Sequence, residues 1–131
     1  MKKISIIIPL YNLEGLIGKC IASALDQDLP PEEYEVIVVD DGSTDGSLAA
    51  AQRAACGHAN VQVHAKPNEG VSMARNYGTE RAAGRYVMYV DADDSLSPGV
   101  LGRLTQIMDR ERLDMLCFDM AGVDEHGGDL P

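Results

Sequence analysis

The chain has 131 residues, enough for one domain with a real core, and its 45% hydrophobic and 24% charged residues are ordinary for a globular protein. With 21 acidic against 11 basic residues it carries a formal charge of -10, which argues against the basic surface that nucleic-acid binding requires. No apolar run approaches the roughly 20 residues that cross a bilayer, and the run after Met1-Lys2-Lys3 stops at Pro9 without a cleavage site, so a protein without a signal peptide is expected, in the cytoplasm or held at the inner face of the membrane by other regions or partners.

Ile4 to Ile8 reads as a buried strand ended by Pro9. Asn12 offers a cap for a helix whose apolar stripe is Leu13, Leu16, Ile17, Cys20, Ile21, Ala24 and Leu25, and Pro30-Pro31 closes that region. Glu35 to Val39 is apolar and β-branched on both faces, as a central parallel strand should be. Asp40 to Ser47 is a turn-rich loop leading into an alanine-rich helix, Leu48 to Ala55, and Val61 to Ala65 follows as a third strand. A helix from Val71 to Ala83 is expected to end on Gly84 in a left-handed conformation, before a fourth strand, Tyr86 to Val90. Ser97-Pro98 supplies a cap and first-turn proline for a helix through Met108, and Asp114 to Met120 reads as a fifth strand. Strand and helix alternate, which predicts an α/β fold with a mostly parallel sheet flanked by helices. The polar tail from Val123 to Asp129 has the look of half a hairpin, so a domain truncated at its C-terminus is expected.

In such sheets ligands bind outside the carboxyl ends of the strands. Those ends carry Pro9, Tyr11 and Asn12, then Asp40 and Asp41, then Asp91 and Asp93. Asp91-Ala92-Asp93 places two carboxylates one residue apart, which repel unless a hard cation with oxygen ligands joins them; Mg2+ or Mn2+ suits a site with few protein ligands. A solvated acidic loop that caps the next helix through Asp94, Ser95 or Ser97 would show the same residues. The Asp40–Ser47 loop has no glycine-rich phosphate signature, so its carboxylates suit donors such as a base N–H or a ribose hydroxyl, or serve turn formation alone. Arg75 is placed to meet either a phosphate or one of Asp41, Asp91 and Asp93. The three cysteines (Cys20, Cys56 and Cys117) lack metal-like spacing and read as reduced, partly buried thiols, and the three histidines have no partner spacing.

Four segments together resemble glycosyltransferase family 2, the inverting enzymes of GT-A fold: Ser5 to Asn12, Glu35 to Asp45, Asn68 to Gly78 and Gly84 to Asp94. The resemblance implies that Pro9, Tyr11 and Asp41, with Asp40 beside it, hold a nucleoside. It implies that Asp91 and Asp93 meet the ribose and a Mn2+ or Mg2+ ion on the diphosphate, with Arg75 assisting. The implied donor is a nucleotide sugar, usually a UDP-sugar, and the acceptor a hydroxyl of a carbohydrate, a lipid-linked group or a protein. The family's catalytic base lies downstream of the aspartate pair, and no motif marks Asp119, Asp124 or Glu125 for that role. A nucleotide-sugar-binding part without activity alone is therefore the alternative, and its open sheet edge allows self-association. A nucleotidyltransferase would need a basic loop after the first strand, where this chain has Tyr11-Asn12-Leu13-Glu14-Gly15. A receiver-like module would need a lysine after its last strand to pair with the acidic cluster, and none is found in place.

Overall fold

The structure, a computed structural model, describes residues 1–116. Four strands, β1 (Ile4–Leu10), β2 (Tyr34–Asp41), β3 (Val61–Lys66) and β4 (Tyr86–Tyr89), form a parallel sheet in the order β3-β2-β1-β4. The helices are α1 (Ile17–Leu25), α2 (Ser47–Ala55), α3 (Val71–Arg81) and α4 (Leu101–Glu111), with a single 3-10 turn at Pro31–Glu33. None of the described helices is long and apolar enough to cross a membrane.

Side-chain alternation along the two central strands builds a core on each face of the sheet. Ile4, Ile6, Ile8, Val36 and Val38 pack with Ile17, Ile21, Ala51 and Leu101, so α1, α2 and the start of α4 cover one face. Ile7, Ile37 and Val39 meet Ala74 and Tyr77 of α3 on the other. All eight residues of β2 are buried, as expected of a parallel strand covered on both sides. That includes Glu35, whose carboxylate accepts from Ser5 Oγ at 2.5 Å and Ala83 N at 2.6 Å, tying the end of α3 back to β1.

Several local expectations are corrected. Pro9 does not end β1, which continues to Leu10. Ile7 O accepts from Val90 N, so by alternation the missing N–H of Pro9 faces the side where β4 has already ended, and no ladder bond is lost. Asn12 is not a helix cap: it stands at φ 49°, and its side-chain oxygen accepts from Thr44 N at 2.8 Å. The helix begins only at Ile17, and Leu16, expected in its apolar stripe, is exposed. Gly84 is not left-handed; α3 stops at Arg81 with Ala82 extended, and a Cβ at Gly84 would meet Ile4 C and Ser5 N at 2.6 Å. Glycine is needed there because the chain passes directly over β1. Ser97-Pro98 does not start α4. Gln27 Oε1 instead accepts from Val100 N and Leu101 N, and Asp28 Oδ1 from Gly102 N, so two residues following α1 cap a helix distant in sequence. The fifth strand expected over Asp114 to Met120 falls mostly outside the described residues, as do Asp119, Asp124, Glu125 and the tail.

Candidate functional site

The carboxyl ends of β1, β2 and β4 border one open cleft of about 500 Å³. Pro9, Tyr11, Asp41, Arg75, Asp91 and Asp93 all line it, which brings together six of the seven residues singled out from the sequence. The seventh, Asp40, lies on the opposite face of β2. It is buried, and it closes a turn by accepting from Ser43 Oγ at 2.5 Å and Ser43 N at 3.3 Å.

A turn past the end of β4 sorts these groups. Asp94 N donates to Asp91 O at 2.9 Å, Ala92 is 1% exposed and packs in the core, and Asp91 and Asp93 are left exposed. Carboxylate oxygens of Asp91, Asp93 and Asp94 can all lie within 4.8 Å of one another, a hard oxygen set of the kind a divalent cation takes. Their mutual repulsion is visible in Asp94, whose carboxyl is raised first by loss of solvent and then by the charges of Asp93 and Asp91. Behind them, the buried Cys20 Sγ lies 3.5 Å from Asp91 O. Burial first, and then the three aspartates, push its thiol up to about 12, so it is an inert core group. Cys56, by contrast, is exposed, unlike the partly buried thiol expected.

Arg75 reaches from α3 to Asp91 Oδ1 at 3.2 Å and stands over the Tyr89 ring at 5.9 Å, while Thr79 Oγ1 shares a hydrogen bond with Tyr89 Oη at 2.8 Å. Of the three aspartates considered as ion-pair partners for Arg75, Asp91 holds it. Asp41 is engaged elsewhere: Lys66 Nζ and Glu69 N donate to its Oδ1 at 3.2 and 2.9 Å, and Gly70 N donates to its Oδ2 at 2.9 Å. Burial alone would raise the Asp41 carboxyl, but these hydrogen bonds outweigh it and hold the group below the usual carboxylate range. Gly42, at φ 71°, brings the β2 loop against the next one, since a Cβ there would sit 2.7 Å from Asn68 N.

Sequence reasoning passed over Asn68, Gly70, Val71 and Ala74, which form the α3 wall of the cleft, and Lys66 behind it. The signal for the wall was present: Asn68-Glu69-Gly70 precedes a helix whose first turn faces the strand ends.

A parallel α/β sheet with polar groups gathered at the carboxyl ends of its strands has its ligand site where open sheets of this class place it. The comparisons carry this to a family. Residues 5–130 match the family described as glycosyl transferase family 2. The chain belongs to that family. It is 40% identical over 113 residues to the uncharacterized glycosyltransferase EpsJ of Bacillus subtilis, covering 86% of this chain and 32% of that protein. To the poly(ribitol-phosphate) beta-N-acetylglucosaminyltransferase TarS of Staphylococcus aureus it is 34% identical over 129 residues, covering 97% of this chain and 22% of that one. The crystal structure of TarS residues 1–349 in complex with UDP-GlcNAc superposes with a TM-score of 0.78 at 34% identity, over 84% of this chain and 32% of that chain. The mannosyltransferase PcManGT of Pyrobaculum calidifontis, in complex with GDP-Man and Mn2+, superposes with a TM-score of 0.65 at 33% identity, over 70% and 27%. The sheet and its helices are thus of the GT-A type expected, and the chain spans no more than about a third of the length of these relatives.

Proposed function

We propose that this domain binds a nucleotide-sugar donor, a UDP-sugar, and presents it for metal-assisted, inverting transfer to an acceptor hydroxyl in the cytoplasm. The observation that carries the reading is the convergence of Pro9, Tyr11, Asp41, Arg75, Asp91 and Asp93 on one cleft in a chain that matches this family almost end to end. Pro9, Tyr11 and Asp41 form the nucleoside end, and the exposed Tyr11 ring offers a face for the base. Asp91 and Asp93 form the phosphate end.

The chemistry of the donor set fits a resident cation. Asp91, Asp93 and Asp94 offer hard oxygens, and so few protein ligands leave coordination positions for water and phosphate, as Mn2+ or Mg2+ prefers. Such a cation offsets the charge that develops on a departing diphosphate. The chain's own part is to orient. Arg75 pins Oδ1 of Asp91, which leaves Oδ2 for a cation or a ribose hydroxyl. An acidic domain thereby accommodates a polyanion through a bound ion and one arginine.

The proposed donor site is built from Pro9, Tyr11, Asp41, Arg75, Asp91 and Asp93. Transfer needs a base and an acceptor site besides, and the reading assigns neither, so donor binding without turnover by this domain alone is its minimal form. The acceptor class it favours is a hydroxyl of a polymer, as in the poly(ribitol-phosphate) for which TarS is named.

Calorimetry with UDP tests the reading, with Mn2+ present, with EDTA instead, and with Mn2+ on the Asp91→Asn, Asp93→Asn double variant. Metal-dependent binding that the variant loses is expected. A folded wild-type chain that binds GDP or dTDP but no UDP would refute the UDP-sugar, and one that binds none of the three would refute the donor reading itself.

A further inference from the structure

Lys66 closes β3, and its side chain is only 7% exposed although it is charged. Its ammonium group donates to Asp41 Oδ1 at 3.2 Å and to Pro67 O at 2.7 Å, and it lies 3.0 Å from Glu69 Oε1, so its three N–H groups meet three acceptors. Lys66 does not line the cleft, whereas Asp41 does. The Asp41 carboxylate takes two hydrogen bonds on Oδ1 and one on Oδ2. With about two acceptor sites per carboxylate oxygen, Oδ1 is filled and Oδ2 keeps one.

An ammonium buried this far is no general device for stability, since desolvation cancels much of the attraction. Anchoring α3 does not require it either, because Glu69 N and Gly70 N already bind the same carboxylate. What the lysine adds is direction and charge. It occupies one oxygen of Asp41, so the free acceptor site falls on the other, and it neutralises a carboxylate that would otherwise face an anionic ligand across a small cleft.

We infer that Lys66 is a positioning residue for nucleobase recognition: it fills Oδ1 of Asp41 and leaves one acceptor site on Oδ2, so that the cleft selects a base presenting a ring N–H, as uracil does, over one presenting a ring acceptor, as cytosine does. The inference rests on the donor-binding reading above. Glu69 is half exposed and shares the lysine without reaching the cleft wall, so it is a bystander in this arrangement.

The test compares UDP with CDP by calorimetry in Mn2+, on the wild-type chain and on Lys66→Met, with Mn2+ binding alone followed by electron paramagnetic resonance. Lys66→Met is expected to weaken UDP about tenfold, the scale of one charge-assisted hydrogen bond, and to narrow the preference for UDP over CDP while Mn2+ binds as before. Lys66→Gln, which keeps an N–H donor of similar reach, serves as the second variant if the methionine variant does not fold. An unchanged UDP/CDP preference in a folded variant overturns the inference. So does an equal loss of UDP, CDP and Mn2+, or a failure of both variants to fold, because each makes Lys66 a support of the fold alone. A wild-type chain that binds no nucleotide instead refutes the donor reading beneath it.

Discussion

Gly78 lies in the middle of α3, where the helix crosses the sheet, and replacing it with alanine sets two effects against each other. Alanine favours a helix interior over glycine by about 1 kcal/mol. Yet a Cβ at this position would stand 2.6 Å from Ile7 Cγ2 and 3.3 Å from Val39 Cγ2, both methyls of fully buried residues on the two central strands. β-branched side chains have few rotamers to turn to, so the helix or the two methyls must shift, and overpacking of this kind costs about 1–3 kcal/mol. The net expectation for Gly78→Ala is a loss of about 1 kcal/mol, or roughly 3–5 °C in the unfolding midpoint. Gly18 in α1 is the control: nothing lies within 4 Å of a Cβ built there, so Gly18→Ala should gain several tenths of a kcal/mol from propensity alone. Urea unfolding of both variants decides the matter, and UDP affinity reports the displaced α3, since Arg75 and Ala74 ride on it. If Gly78→Ala proves as stable as Gly18→Ala, the close seating of α3 is not what holds that face together.

The start of α4 gives a second expectation. Asp28→Ala removes the acceptor of Gly102 N and should cost about 1 kcal/mol by denaturation, whereas Ser97→Ala, at the position that looks like a cap, should cost almost nothing. Asp41 gives a third. Its carboxyl lies lower in the folded chain than the roughly 3.9 of an unfolded aspartate, so its contribution is complete above that value and fades as pH falls through the folded one. The stability gap between the wild-type chain and Asp41→Asn, on the order of 3 kcal/mol near pH 7, should therefore begin to close below about pH 4.5; a gap that widens there would contradict the assignment.

What the sequence disclosed and what it hid divide along a physical line. Strands β1 and β2 and the aspartates after β4 were legible because burial and turn formation act over neighbouring residues, as at Val36 to Val39 and Asp91 to Asp93. The misread positions depend on groups far away in the chain. Asn12 looks like a cap but serves the loop at Thr44, and α4 looks capped by Ser97 but takes its acceptors from Gln27 and Asp28. Gly84 looks like a helix terminator and is instead a clearance over β1. Lys66 gave no signal at all, since a lysine at the end of an edge strand is ordinarily a solvated one.

The two strands flanking the cleft differ in length. β4 leaves β1 at the Ile7–Tyr89 pair, while β1 continues to Leu10 beside β2. About 10 Å of β1 therefore stands clear of its neighbour on that side, at roughly 3.3 Å per residue. The depth of the cleft is thus set by where one edge strand stops and not by which side chains fill the core. One more residue pair in β4 would make the cleft shallower, and one fewer would deepen it, with both hydrophobic layers left in place. The depth of the cleft beside β1 can thus change without repacking anything beneath it.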